Sequence, residues 1–505
     1  MMLDELAARL RREEDRPALL TAGRGGRPAV AFTRGELAER SEALAAALHR
    51  RGLGAGDTLG VAVRPGVRSL ALMLAARRLG LRVAVLDPTA GPDVLLARLA
   101  LARPNLVVAD AAAQAVAGWA RPLARRAHLA LPDLTALGPV ATLGVRLPGC
   151  APGIDRAPAG TMLPDRRDTD GDAVVVFTSG TTSRPRAVVH TWSSLDAGMR
   201  AVAGLVRPEP GRPVLGGMFF VLVPSLNAGA PVALPARSPR ALARQIGRLR
   251  PQETYLTPPQ VRDALAARVR FTGRVWSGSA PVSADLLSRV RRAGASQAFA
   301  VYALTEMFPV AAVSAEEKAG YTGDGDLVGA LLPGVRARLD GDGQLLLAGP
   351  AACDRYLGEP PLHEVATGDV ARLDGSGDAT RVVLAGRAKD MILRGAENIY
   401  PGLYEPALHV PGVGLAVLVG VPAGDGDERL VAVVQPAPGA DERALRDALE
   451  APLHRMGRAR PDAVVFAPVP LAGRSRKPDR RAAAALAARL APSADGAARP
   501  AAARR

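Results

Sequence analysis

The stretch Asp172-Ala-Val-Val-Val-Phe-Thr178-Ser179-Gly180-Thr181-Thr182-Ser183-Arg184-Pro185-Arg186 has the residue types and spacing to hold a polyphosphate. An apolar run, read as a buried strand, ends in a loop dense with hydroxyls, with one glycine and two arginines. A helix signal follows at Thr191-Trp-Ser-Ser-Leu. Short hydroxyl side chains on a flexible backbone can wrap phosphate oxygens with several donors at once. Arg184 and Arg186 can neutralise charge and grip oxygens in a forked geometry. The chain lacks the nucleotide loop that ends in Gly-Lys-Ser/Thr. The plain alternative is a polar turn between strand and helix.

Further segments follow in order. They are Trp276-Ser277-Gly278-Ser279-Ala280-Pro281, Val301-Tyr302-Ala303-Leu304-Thr305-Glu306 and Thr367-Gly368-Asp369. Next comes the run from Gly386-Arg387-Ala388-Lys389-Asp390 to Tyr400-Pro401, and last Pro470-Leu-Ala-Gly-Arg-Ser-Arg476-Lys477-Pro478-Asp479-Arg480. Singly, Tyr302 reads as a core tyrosine, Thr-Gly-Asp as a turn, and Lys477 as one cation in a basic stretch. Together, over roughly residues 15 to 485, they resemble the adenylate-forming superfamily. That group holds acyl- and aryl-CoA synthetases, peptide-synthetase adenylation domains and luciferases. The family loop reads Thr/Ser-Ser-Gly-Thr-Thr-Gly-x-Pro-Lys-Gly. Here Ser183, Arg186 and Ala187 replace its second glycine, lysine and last glycine, and Ala303 and Ala396 stand where glycine is usual.

The resemblance implies a set of roles. Thr178, Ser179, Gly180, Thr181, Thr182, Arg184 and Arg186 would hold the ATP phosphates. Gly278, Ser279 and Ala280 would line the adenine pocket, and Tyr302 would stack on the base. Thr305 would meet phosphate oxygens, and Glu306 would ligate Mg²⁺, a hard cation suited to a carboxylate. Asp369 and Arg387 would bind the ribose. Lys389 would be the pivot between two domains, and Lys477 the lysine that meets the substrate carboxylate and the α-phosphate.

Alternating patterns must position these residues. Helices are expected at Thr33–Arg51, Val67–Leu79 and Asp93–Ala102, with strands at Thr58–Val63, Val83–Leu86 and Leu106–Ala109. This βαβ rhythm predicts parallel-rich sheets flanked by helices. Further helices are expected at Ala236–Leu249, Pro258–Val269 and Ser283–Ala293. After residue 323, glycine and aspartate punctuate short strands, which suggests a small β-subdomain. An α/β unit follows, with strands Leu415–Val421 and Leu430–Pro436 and a helix Asp441–His454. The expected division is a large N-terminal adenylation domain over 1–387, a small mobile α/β C-terminal domain over 388–488, and a disordered tail over 489–505.

The 505-residue length is too great for one compact core. The net charge of +16 is spread along the chain. It suits a solvated arginine-rich surface or anionic partners such as ATP, CoA or an acidic carrier protein. No zinc-finger spacing and no aromatic RNA-binding strand accompanies it, so nucleic acid is not expected. No uncharged apolar run reaches the roughly 20 residues needed to span a bilayer, and no signal peptide is expected. Cys150 and Cys353 show neither metal spacing nor a disulfide framework, which suits a reducing cytoplasm.

The expected activity is ATP- and Mg²⁺-dependent conversion of a carboxylic acid to an acyl-adenylate, followed by transfer to a thiol, CoA foremost or an acyl carrier protein. The run Leu215–Pro224 is apolar and carries no acidic residue to hold an α-amino group. The resemblance places the acid pocket between His190 and Ala311 with this run as part of its wall, which favours a fatty or aromatic acid over an amino acid; the same run reads equally as plain core. Val63-Arg-Pro-Gly66 and Leu86-Asp-Pro88 also resemble β-lactone synthetases, in which a β-hydroxyl of the substrate captures the acyl group. A degenerate nucleotide-binding homologue without catalysis is the remaining alternative, motivated by Ser183, Arg186, Ala187, Ala303 and Arg476.

Overall fold

The computed structural model describes residues 1–22, 28–86, 92–111, 114, 138–154, 162–164, 170–178, 186–377, 380–387, 390–394, 397–424, 427–456, 459–473 and 476–491. Among these, two large sheets share a core. The first has thirteen strands. One side of it is a parallel block of Pro17–Ala22, Val232–Ala233, Val214–Leu215, Glu253–Leu256, Arg274–Gly278 and Gln297–Tyr302. The second has seven strands. There Asp172–Thr178 lies parallel to Arg82–Val85, and Arg186–Thr191 folds back antiparallel on Asp172–Thr178.

The helices Val67–Leu79 and Phe219–Asn227 bury leucine and valine faces in the core between these sheets. The βαβ rhythm is therefore present, and the helix Val67–Leu79 has the expected bounds. Thr33 caps Arg34–Arg50 with a reciprocal box to Glu36. The expected helix at Ala236 instead starts at Pro239, because Ser238 caps it and proline suits the first helical position. Pro258–Ala266 ends three residues early, where Arg268 takes a left-handed φ of 56°. The helix Pro92–Ala102 starts one residue before the expected Asp93.

The short strands after residue 323 do not form a separate sheet. Ala311–Ser314 pairs antiparallel with both Gln297–Tyr302 and Asp326–Leu331. Through it the strands Arg381–Arg387, Val365–Asp374, Gln344–Ala348 and Arg336–Leu339 extend the large sheet. Asp369 and Arg387 thus ride on the same sheet as Tyr302.

A small three-stranded sheet of Val413–Gly424, Asp427–Pro436 and Ala463–Phe466 forms the C-terminal unit. Strand alternation sends Ala416, Leu418, Ala432 and Val434 to the helix Glu442–Arg455. Val417, Val419, Val431 and Val433 go to the helix Arg480–Leu490 on the other face. That last helix runs two residues into the stretch read as tail, and residues 492–505 lie outside the described residues. No helix among the described residues is long and apolar enough to cross a membrane.

Candidate active site

Parallel strands end at a common edge, and loops leaving that edge are natural ligand sites in α/β sheets. Gly278 and Val301 are paired in register, so the segments 278–280 and 302–306 leave side by side. A Cβ on Gly278 would sit 2.8 Å from the Val301 carbonyl oxygen, so glycine permits this close approach. Ser279 takes φ 71°, a left-handed backbone uncommon for a non-glycine residue. Its Oγ lies 3.3 Å from the Tyr255 hydroxyl.

Thr367-Gly368-Asp369 is no turn; it lies within the strand Val365–Asp374, with φ 71° at Gly368. The Thr367 hydroxyl donates to the Leu345 carbonyl (2.8 Å) and accepts from the Asp369 amide (3.0 Å). Asp369 is buried, and both its oxygens are engaged. Tyr302 donates its hydroxyl to Oδ2 at 2.5 Å, and Arg387 Nε reaches Oδ1 at 2.8 Å. Burial, together with the adjacent Asp369 carboxylate, holds the Tyr302 hydroxyl well above the usual tyrosine range. It is therefore a donor at neutral pH. The Arg387 side chain is 44% exposed, so this end of the chain of contacts meets solvent.

Glu306 lies four residues beyond Tyr302. Tyr356 donates to its Oε1 at 3.2 Å, and the Cys353 amide donates to its backbone carbonyl at 2.7 Å. Tyr356 comes from the short strand Arg355–Tyr356, which pairs with Arg186–Thr191. The Arg186 guanidinium lies 5.0 Å over the Tyr356 ring. Burial first, then Glu306, pushes the Cys353 thiol and the Tyr356 hydroxyl each up to about 12. His190 is buried, with Nε2 2.8 Å from the Thr305 carbonyl and Nδ1 3.2 Å from Ser194 Oγ. A carbonyl only accepts, so Nε2 carries the proton and steadies the Thr305–Glu306 loop. Burial lowers the His190 pKa despite that bond.

The base of the phosphate loop is described: Thr178 pairs with Arg186 across adjacent strands. Ser179, Gly180, Thr181, Thr182 and Arg184 lie outside the described residues, as does Lys389. Lys477 is exposed and pairs with Ala472 in a two-residue ladder. Its neighbour Arg476, at φ 49°, reaches Asp263 at 3.2 Å on the helix Pro258–Ala266. The C-terminal loop thus meets the helix that follows Glu253–Leu256. The described residues offer no cluster of three or more side chains able to hold a metal. Glu306 brings a single carboxylate, which fits a Mg²⁺ held mainly by substrate phosphates.

An apolar cavity runs beside this edge, with about 630 Å³ of empty space including its opening. Phe220, Val221 and Pro224 form one wall, so part of the apolar run 215–224 is lining, while Val223 and Leu226 of the same helix are core. Glu253 lies on the opposite wall, where no motif pointed. Its Oε1 accepts from Arg274 Nε (2.8 Å) and forms an ion pair with Nη2 at 2.5 Å, Nη2 donating to the Val206 carbonyl, and its Oε2 accepts from Trp276 Nε1 (2.6 Å). Burial raises the Glu253 pKa, opposed by the bonds from Trp276 and Arg274. Sequence reasoning missed Tyr356 and Glu253. The one available signal for Glu253 was its alternation with Tyr255 in the short stretch Glu253-Thr-Tyr-Leu256 before Thr257.

A family model described as AMP-binding enzyme matches residues 6–357. The chain is 28% identical over 496 residues to the olefin beta-lactone synthetase of Xanthomonas campestris pv. campestris, covering 86% of this chain and 85% of that protein. It is 30% identical over 309 residues to a feruloyl-CoA synthase of Amycolatopsis sp., covering 54% and 61%. Among solved structures, the amide bond synthetase McbA from Marinactinospora thermotolerans matches with TM-score 0.76 at 25% identity, over 96% of this chain and 99% of that one.

Proposed function

The chain belongs to the AMP-binding enzyme family of adenylate-forming ligases, and on that premise we propose that it activates a carboxylic acid with Mg-ATP and passes the acyl group to a thiol, CoA foremost. An oxygen of the acid attacks the α-phosphorus. The bond to the bridging oxygen breaks, and pyrophosphate leaves with the electron pair. A thiol sulfur then attacks the acyl carbon, AMP departs, and the thiol proton passes to solvent. The protein forms no covalent bond, so its task is positioning and charge stabilisation.

The observation that carries this reading is the chain Tyr302–Asp369–Arg387 beside the Glu306 loop. A buried carboxylate held by two donors keeps acceptor capacity on both oxygens, suited to the two ribose hydroxyls. Glu306 would meet the Mg²⁺ that arrives with ATP. Thr178 through Arg186 would hold the departing pyrophosphate, with Thr305 at the phosphate oxygens and Gly278, Ser279 and Ala280 around adenine. Lys477 would stabilise the α-phosphate in the first step. Rotation of the C-terminal unit about Lys389 would then withdraw it and open a path for the thiol.

Likeness to an olefin beta-lactone synthetase across most of the chain supports a second reading. In it a β-hydroxyl of the substrate captures the activated acyl group, and no thiol enters. Feeding β-hydroxy acids with and without CoA separates the two: consumption of the acyl-adenylate without CoA favours the internal nucleophile.

Acid-dependent exchange of pyrophosphate into ATP tests the adenylation. Lys477→Ala is expected to abolish exchange yet spare thioester formation from supplied acyl-adenylate. Lys389→Pro is expected to do the reverse. Intact exchange in Lys477→Ala would remove this lysine from the first step.

A further inference from the structure

We propose that Glu253 selects acids whose far end carries a hydrogen-bond donor, such as a phenolic hydroxyl, an aryl amine or a ring N–H. The proposal rests on the adenylation reading and names the substrate class of that same site. Its ground is the direction of the cavity. The strand Glu253–Leu256 runs toward the edge where the motif loops emerge. Tyr255 is near that edge, close to Ser279. Glu253 shares its face two residues earlier, about 7 Å deeper at the usual rise of a strand. Tyr255 pairs in register with Trp276 on the neighbouring strand, and all three side chains line the cavity. An acid held by its carboxylate at the mouth therefore points its tail at Glu253.

The lining is otherwise almost all carbon. Ser225 spends its hydroxyl proton on the Val221 carbonyl at 2.6 Å. A carboxylate has about four acceptor sites. Arg274 Nε fills one on Oε1, where Nη2 adds an ion-pair contact, and Trp276 fills one on Oε2. Among the described residues Oε2 has the Trp276 hydrogen bond alone, and Glu253 lines an apolar chamber, so acceptor capacity is left there. An apolar tail would cover that acceptor and strip it of water without replacement, whereas a donor would complete it. Sites of this kind discriminate strongly against analogues that lack the donor. A purely structural ion pair of Glu253 with Arg274 would leave the enzyme indifferent to the tail.

The test is pyrophosphate exchange with cinnamates that differ only at the 4-position: hydroxy and amino as donors, methyl as the apolar isostere, methoxy as an acceptor only. The wild type is expected to favour the donors over methyl and methoxy by about tenfold or more in kcat/KM. Glu253→Gln places an amide N–H where only acceptors stood. It is expected to shrink that ratio and raise methoxy relative to methyl, a gain that general destabilisation does not produce. Equal use of the four acids by the wild type overturns the inference whatever the variant does. So does a donor preference that survives in Glu253→Gln, or exchange with aliphatic acids alone. Exchange with no acid at all would overturn the adenylation reading, and this inference with it.

Discussion

Replacing Asp369 with alanine gives the sharpest check on how the nucleotide would be held. The carboxylate is 5% exposed and fixed by Tyr302 at 2.5 Å and Arg387 at 2.8 Å. If its spare lone pairs accept the ribose hydroxyls, each such bond is a hydrogen bond to a charged group, about 1.5–3 kcal/mol. At about 1.36 kcal/mol per decade, loss of one hydroxyl should cost the wild type roughly 10- to 150-fold in kcat/KM. The assay compares ATP with 2′-deoxy-ATP in pyrophosphate exchange. Asp369→Ala has no acceptor left to lose, so its two nucleotides should agree within about threefold, since each single change then removes the same interaction. The variant also costs stability. Arg387 turns to water, but the half-buried Tyr302 hydroxyl loses its acceptor, a penalty of about 1–3 kcal/mol. Urea unfolding confirms that the folded variant is being assayed. Undiminished discrimination against 2′-deoxy-ATP in Asp369→Ala would refute the ribose assignment, because the acceptor would then lie elsewhere.

Two further outcomes follow from buried titratable groups. Burial depresses the His190 and His409 pKa values, so the unfolded chain binds more protons once pH drops below about 6.5. Unfolding free energy should hold above that pH and decline below it; in His190→Gln the decline between pH 6.5 and 5 should be shallower, and an unchanged slope would dismiss the His190 contribution. Cys353, with its thiol pushed up to about 12 by burial and Glu306, should resist a thiol-specific disulfide reagent at pH 8 in the native protein and react on unfolding; rapid native labelling of a Cys150→Ala variant would contradict that environment.

Local signals in the sequence were good guides wherever local physics sets the element. The caps at Thr33, Ser283 and Asp441 mark helix starts because a side-chain oxygen meets an amide two or three residues on. The parallel strands read as apolar runs because they are covered on both faces. Sheet continuity was hidden. Glycine and aspartate after residue 323 announce turns, yet the pairing of Ala311–Ser314 with two partners makes those strands part of the large sheet. That pairing depends on residues distant in sequence, which no periodicity records. Tyr302, Asp369 and Arg387 could be nominated from motifs, but their contacts span 67 residues from Tyr302 to Asp369, and only folding brings them together.

The apolar cavity shows why one wall is a poor guide to a ligand. The run Leu215–Pro224 has no acidic residue, and from that run alone the tail of the acid is apolar. The cavity closes against a second wall whose chemistry is set by strand register. Glu253 pairs with Arg274, and alternation turns Glu253, Tyr255 and Trp276 toward the same space. Arg274 and Trp276 make a buried carboxylate tolerable, since a buried charge without partners would be strongly disfavoured. Among the described residues these partners leave it spare acceptor capacity, because a carboxylate can take more donors than they bring. The resemblance that identifies the family rests on loops at the sheet edge, where the nucleotide would lie. If the cavity beneath that edge takes the acid, as proposed, two members with matching loops would differ in substrate through a single strand residue such as Glu253.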